Sequence, residues 1–415
     1  MPLKRILVLG GGFAGLWSAI GAARKLDELE LSSNDVEITL VNRDAFHNIR
    51  VRNYESDLTH VRLPLDEILG PVDIRRVEGN VDAIDFANQI VNVQTPNKVC
   101  SLPYDRLVCA LGSQLVRPAV PGCTEFIFDV DTYDGAIRLQ HHLESLSECP
   151  AFEGQFTVVV VGAGLTGIEL ACELPTRLQT LLPKRGIAGT GEQQPIRVIL
   201  ADHHQTVGSD MGESARLVIV DALSALGIEQ RLGIEVVSVT KSGVTLLSGE
   251  AISAATVVWC GGMRANPLSQ LFPVQRDRLG RIPVDHFMQA RDIPNVFVAG
   301  DMAWSLMDDC HASVMSCQHS RPMGRFAGHN VVCDLLSLPM LPLRIDWYAT
   351  VLDLGEWGAV HTEGWDRQVV AKGAAAKKTK QIINGLRIYP PITGVRREIL
   401  DSAAPVIQSP PPQAR

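Results

Sequence analysis

Residues 5–15 read Arg5-Ile6-Leu7-Val8-Leu9-Gly10-Gly11-Gly12-Phe13-Ala14-Gly15. The apolar run has no polar alternation, the pattern of a strand buried on both faces. Gly10, Gly12 and Gly15 fit G-x-G-x-x-G. Beyond them Phe13, Leu16, Trp17, Ile20 and Ala23 recur at helical spacing as far as Leu26. A second strand, Val36 to Val41, completes a βαβ unit. In that setting Gly10 makes the tight turn, Gly12 lets a pyrophosphate approach the backbone, and Gly15 allows close helix–strand packing. The anion sits on unpaired N–H groups at the helix N-terminus, so Phe13 and Ala14 join the expected contacts. The residue that meets the adenosine ribose at the end of the second strand is usually acidic. Here it is Asn42, followed by Arg43. An amide still donates to and accepts from a hydroxyl.

The pattern recurs further along the chain. Phe156 to Val161 reads as a strand and Ile168 to Leu182 as a helix interrupted near Pro175. Between them Gly162-Ala163-Gly164-Leu165-Thr166-Gly167 repeats the glycine motif. Ile196 to Ala201 is the next strand, after a loop insertion from Pro183 to Pro195. Two such units predict two nucleotide-binding domains. Asp202 ends the second unit, where a carboxylate accepts from both ribose hydroxyls and favours NADH over NADPH. His203 and His204 follow; they read as an exposed loop rather than a phosphate contact. Glu169 is either a first-turn acid stabilised by the helix dipole or a group pointing into the nucleotide cleft.

Further strands are expected at Leu107 to Leu111, Thr256 to Trp259 and Val296 to Ala299, with glycines at their C-terminal ends. That is where open α/β sheets bind ligands. The fold class is therefore α/β, with two Rossmann-like domains and a small C-terminal α+β region. Residues 347–367 suit a β-rich cap, residues 372–387 carry Lys372, Lys377, Lys378, Lys380 and Arg387, and Ser409 to Pro412 read as a disordered tail.

Composition narrows the function classes. The 415 residues are 46% hydrophobic and 20% charged, which excludes wholesale disorder. A net charge of −8 argues against a nucleic-acid binder with a broad basic face. No apolar run reaches the ~18 residues of a spanning helix, and residues 1–5 lack the character of a signal peptide. A cytoplasmic protein is expected. Nine cysteines, none in a Cys-x-x-Cys pair, read as buried and reduced. No metal-ligand pattern is evident.

Two glycine motifs with Asn295-Val296-Phe297-Val298-Ala299-Gly300-Asp301 downstream make the chain resemble the two-dinucleotide-binding-domain flavoproteins. The resemblance covers roughly residues 3–330 and implies that the first motif binds FAD non-covalently and the second, inserted one binds NAD(P)H. The implied domains are 1–130 and 281–340 for FAD, 150–280 for NAD(P)H, and 341–415 as cap and tail. Ala110-Leu111-Gly112 matches the intermediate FAD motif, Val81 joins the FAD contacts, and the Asp301 carboxylate would take a ribityl hydroxyl alongside Gly300.

Within that superfamily the sequence looks most like type II NADH dehydrogenases, the single-subunit NADH:quinone oxidoreductases. By this resemblance Glu169 faces the nicotinamide, and Trp259-Cys260-Gly261-Gly262-Met263-Arg264 lies at the nucleotide cleft, with Gly261 and Gly262 as NAD(P)H contacts. The quinone-site pattern of that family is Ala-Gln, three residues, then Gln and Gly. Here it reads Cys317-Gln318-His319-Ser320-Arg321-Pro322-Met323-Gly324, so Gln318 and Gly324 are kept and the second glutamine is Pro322. Gln318 and His319 are the expected groups on the acceptor side, His319 standing between proton donor and packed helix residue.

The resemblance also carries a homodimer and a peripheral contact on the cytoplasmic membrane face as expectations. Ile382, Ile383, Leu386 and Ile388 beside the lysines would form only a weak interfacial patch; the competing reading is a solvated basic face. A dithiol reductase is excluded, because residues 42–57 hold no cysteine. A sulfide:quinone oxidoreductase stays open through Cys123, Cys310 and Cys317. So do a reductase for a protein partner and a slow-turnover FAD/NADH-binding sensor. The preferred reading is an FAD-dependent NADH dehydrogenase that reduces a quinone.

Overall fold

The computed structural model describes residues 3–148, 152–181 and 196–411. Two five-stranded parallel sheets organise it. In the first, Lys4–Leu9 is central, flanked by Val36–Asn42 and then Arg75–Glu78 on one side. Arg106–Cys109 and then Val296–Val298 lie on the other. The second repeats this order around Thr157–Val161. Arg197–Asp202 and Glu229–Leu232 lie on one side, Thr256–Trp259 and Ile127–Phe128 on the other. The second sheet lies in sequence between Arg106–Cys109 and Val296–Val298, so its domain is inserted in the first.

Both central strands are buried from Ile6 to Leu9 and from Thr157 to Val161. Their uninterrupted apolar runs follow from helices covering both faces. Each leads through its glycine loop into a helix, α1 (Phe13–Glu28) and α2 (Leu165–Leu181). Pro175 lies inside α2 without interrupting it, contrary to the sequence reading. Leu170, Leu174 and Leu178 are fully buried along that helix. Their packing outweighs the one backbone hydrogen bond the proline removes.

A third helix, α3 (Cys317–Leu335), lies along α1. A Cβ at Gly324 would stand 2.3 Å from the Ala14 carbonyl oxygen, and one at Gly328 2.2 Å from that of Ser18. Glycine at both positions is what lets the two helices touch along their backbones.

Each domain also carries a three-stranded antiparallel sheet, 80–103 in the first and 236–253 in the second. The C-terminal region is an antiparallel sheet of Ala349–Asp353, Ala359–Glu363 and Gln368–Gly373. It runs directly into helix α4 (Ala374–Ile382) and a π-turn, Ile383–Arg387.

Two expectations for this end of the chain are corrected. The basic segment is not a uniformly solvated face: Lys372 and Lys378 are exposed, but Lys380 is buried and Lys377 half-buried. Both inward lysines bond carboxylates, which offset the cost of removing them from water. Of the expected apolar patch, only Ile382 and Leu386 are exposed, while Ile388 is buried. The tail has no regular secondary structure, yet it is tied down. Arg387 donates to the carbonyl oxygens of Ser409 and Pro410. Pro412 and the whole Pro183–Pro195 insertion lie outside the described residues.

Among the described residues no helix is long and apolar enough to cross a membrane.

Candidate functional site

The two glycine loops are built alike. Gly10 N donates to the Val41 oxygen at 2.8 Å, and Gly162 N to that of Ala201 at 2.7 Å. Gly10 has φ +101° and Gly162 φ +112°, left-handed backbone that favours glycine. A Cβ at Gly15 would meet the Gly10 oxygen at 1.7 Å, and one at Gly167 the Gly162 oxygen at 1.8 Å. Gly12 and Gly164 differ from these: a Cβ there would meet nothing within 4 Å. Gly12 is the N-cap of α1 and supplies no side-chain cap. The first-turn N–H groups therefore open onto free space, the condition for an anion. The loop fits a pyrophosphate.

Asn42 and Asp202 hold equivalent places. Asn42 Oδ1 accepts from Gly11 N at 2.9 Å, and its Nδ2 donates to the Asp44 and Phe46 carbonyl oxygens. Asp202 Oδ2 accepts from Ala163 N. Each fixes the second residue of its loop. Asp202 Oδ1 also accepts from His204 N at 2.8 Å and lies 2.8 Å from His204 Nδ1. Burial works to raise the Asp202 pKa, but these bonds hold it below the usual carboxylate value. Arg43 is exposed beside Asn42. Val81 is half-buried just beyond Gly79, whose N–H donates to the Asn42 oxygen.

The remaining predicted residues gather at the same sheet edges. The Ala110 carbonyl oxygen would be 2.4 Å from a Cβ on Gly10, with Leu111 and Gly112 following at the edge. Cys260 and Gly261 crowd Gly162 in the same manner. Gly112 and Gly262 have positive φ, and Ser113–Leu115 pairs with Met263–Ala265, joining the two domains. Gly300, with φ +74°, packs against Ala14. Asp301 Oδ2 accepts from Ser113 Oγ at 2.6 Å and Oδ1 from Ser320 Oγ at 3.2 Å.

A cavity of about 290 Å³ opens between these domains and the C-terminal region. Leu165, Thr166 and Glu169 of α2 line it, as do Ser316, Cys317 and Gln318 at the start of α3. Ser316 caps that helix, its hydroxyl accepting from His319 N. Gln318 Nε2 has no hydrogen-bond partner. Pro322 lacks the N–H that would bond the Gln318 carbonyl in the helix.

His319 is not on the cavity wall. It is fully buried behind it, its Nδ1 accepting from Val314 N at 2.8 Å. Burial pushes its pKa down to about 4, so the ring is neutral near pH 7. The structure thus favours the packed-residue reading of His319 over the proton donor. Of the three cysteines considered for sulfide chemistry, Cys317 alone lines the cavity. Cys123 lies in the core of the second domain and Cys310 is exposed.

Sequence reasoning missed the partner of Glu169. Glu169 is buried, and its Oε1 accepts from Lys380 Nζ at 2.6 Å and from Asp353 N at 3.1 Å. Burial pushes the Glu169 carboxyl above its ordinary value despite the ammonium beside it. Burial also works to lower Lys380, but the Glu169 carboxylate overrides it and the value rises. No local pattern pairs these residues. The sequence offered only a lysine cluster, Lys377-Lys378-Thr379-Lys380, behind a run of small residues.

Two dinucleotide folds that open on one shared cavity define an oxidoreductase of the two-nucleotide class. The chain belongs to the pyridine nucleotide-disulphide oxidoreductase family, which matches residues 4–324. An NADH dehydrogenase-like protein of Mycobacterium tuberculosis is 55% identical over 409 residues, covering 99% of this chain and 100% of the relative. A demethylphylloquinone reductase of Synechocystis is 28% identical, with 86% of each chain covered. A type II NADH:quinone oxidoreductase of M. tuberculosis is 30% identical over 72% of this chain and 67% of its own. The fold matches NDH2 of Plasmodium falciparum in complex with NADH, with a TM-score of 0.75 at 12% identity, over 96% of this chain and 97% of that one. The protein is a pyridine nucleotide-dependent, NADH dehydrogenase-like flavoprotein oxidoreductase.

Proposed function

We propose that this protein passes hydride from NADH to FAD and on to a quinone. The observation that carries the reading is the shared cavity, with the second glycine loop on one part of its wall and the N-terminus of α3 on another. FAD, when bound, accepts two electrons as hydride and releases them singly or as a pair.

The chain's own residues divide the remaining work. Gly10, Gly12 and Gly15 with the free N–H groups of α1 hold the pyrophosphate, and Asp301, oriented by Ser113 and Ser320, holds a ribityl hydroxyl. The second loop does the same for the dinucleotide, and the carboxylate of Asp202 favours NADH over NADPH. Glu169 flanks the nicotinamide. Gln318 offers its unpartnered amide N–H to a quinone carbonyl. Trp347, Tyr348 and Ile383 line the same cavity and keep water from it. The names of the Synechocystis and M. tuberculosis relatives support a quinone as acceptor.

An anaerobic stopped-flow experiment tests this. NADH should rapidly bleach the flavin band of the purified protein, and a short-chain quinone should rapidly restore it. Bleaching without recovery would replace the quinone with a protein acceptor or a sensing role. If no flavin co-purifies and none rebinds, the proposal fails at its first step.

A further inference from the structure

Among the described residues, two arginines on the cavity wall have no counter-ion. Arg321 and Arg325, one turn apart on α3, are 6% and 3% exposed. Arg321 donates one Nη1 bond, at 2.7 Å, to the carbonyl oxygen of Arg387, and its Nε is unpartnered. Arg325 makes no hydrogen bond with its guanidinium, and its Nε is also buried and unpartnered. Among the described residues no carboxylate pairs with either. Their guanidinium carbons sit 5.2 and 4.5 Å from the centre of the Trp17 ring. Such contacts soften the burial of a cation but do not neutralise it.

The arrangement is unfavourable by itself. Burial pushes Arg321 down to about 10 and Arg325 down to about 9, and each repels the next cation: Arg387 acts on Arg321, and Arg321 on Arg325. Isolated buried charges are paired, bound to a ligand, or neutralised. Buried Lys380 and Arg281, by contrast, have Glu169 and Asp277 as partners. An apolar core residue would serve packing better at either position.

We propose that Arg321 and Arg325 form the anion-binding end of the cavity, and that its ligand is an apolar aromatic carboxylate. A guanidinium fork matches a carboxylate with two parallel hydrogen bonds. Ile383, Ile388, Ile407 and Trp347 line the same cavity and suit a flat ring. A plain inorganic anion would leave that apolar wall uncovered. The inference rests on the acceptor reading of this cavity and narrows it, because a carboxylated naphthoquinone keeps one aromatic ring beside its carboxylate and can also take electrons.

The test is calorimetric binding to the FAD-loaded protein, without NADH. The probes are 2-naphthoate, uncharged naphthalene-2-carboxamide and inorganic phosphate. Naphthoate should bind at least ten times more tightly than the amide. Arg325→Gln should remove that preference while leaving the flavin content unchanged. Equal binding of acid and amide to the unmodified protein would overturn the proposal, even if the variant failed to fold. So would phosphate binding as tightly as naphthoate, which would mean a bare anion site. Loss of FAD from an Arg325→Gln protein whose far-ultraviolet circular dichroism is unchanged would assign the cluster to the cofactor's phosphates and likewise overturn it. The acceptor reading has its own readout, flavin reoxidation by neutral quinones, so the two failures are distinguishable.

Discussion

Lys380 Nζ lies 2.6 Å from Glu169 Oε1, joining residues separated by 211 positions. Each side chain is only 10% exposed. The pair fastens helix α4 of the C-terminal region to the second turn of α2, beside the cavity. Asp353 reinforces it: its N–H donates to the same oxygen, and its carboxylate accepts from Lys377. The C-terminal region is therefore held to α2 by buried charge.

Breaking one half of this pair should cost more than removing both. Lys380→Met leaves a buried carboxylate without its cation and should destabilise the protein by about 3–5 kcal/mol. Adding Glu169→Gln should restore most of that, because no uncompensated charge remains. Urea unfolding of the two single variants and the double variant measures the coupling. Additive losses would mean that the two groups do not depend on each other. In the double variant, reduction of the bound flavin by NADH should still be slowed about tenfold if Glu169 flanks the nicotinamide. Unchanged NADH kinetics would remove it from that place.

The two kinds of glycine in each loop should separate folding from binding. At Gly15 an added Cβ meets the Gly10 oxygen at 1.7 Å, so Gly15→Ala should destabilise the first domain by at least about 2 kcal/mol. At Gly12 the space is open. Gly12→Ala should fold normally and lose FAD, because the methyl group occupies the cofactor's place. Gly164→Ala should keep FAD and raise the KM for NADH. Thermal melts, flavin content and steady-state kinetics decide among these. A Gly12→Ala protein with full flavin content would show that the open space is not the pyrophosphate site.

Much of this was readable in the sequence because the nucleotide loops are local. Gly10 to Gly15 and Gly162 to Gly167 work through contacts within a few residues, so their spacing reports their geometry. Asn42 and Asp202 were placed by their position at a strand end. The antiparallel sheets at 80–103 and 236–253 were not legible, because their short strands carry weaker patterns than the parallel ones. The role of Lys380 was hidden for a different reason: a lysine reads as solvated unless its distant partner is known. His319 illustrates the converse. A histidine next to Gln318 suggested chemistry, but helical geometry turns adjacent residues to different faces. Gln318 reaches the cavity and His319 the core.

Buried histidines should govern stability in mild acid. Burial pushes both His47 and His319 down to about 4 from an ordinary 6.5. Below pH 6.5 the unfolded chain binds protons that the folded chain refuses, so stability falls as pH drops from 6.5 to 4. Each histidine accounts for about 3 kcal/mol over that window. His319→Asn should therefore show a shallower decline in its urea midpoint between those pH values than the unmodified protein. Parallel declines would mean that His319 takes up its proton without unfolding.

Coenzyme choice should turn on Asp202. Its carboxylate sits at the end of Arg197–Asp202, fixed by Ala163 N and His204 N, and the bonds around it keep it ionised. A fixed negative charge there accepts from ribose hydroxyls and repels a 2′-phosphate. The neighbouring His203 is exposed, with its Nδ1 3.3 Å from Asp202 Oδ1, so a cation placed at 203 can reach the same spot. Asp202→Ala with His203→Arg removes the repulsion and supplies a guanidinium that stays charged at any working pH. The ratio of kcat/KM for NADPH to that for NADH should rise at least tenfold, a change of about 1.4 kcal/mol in relative transition-state binding. Flavin content should stay constant, because the first domain is untouched. A ratio that does not move would place the adenosine ribose away from Asp202, and the preference for NADH would then need another cause.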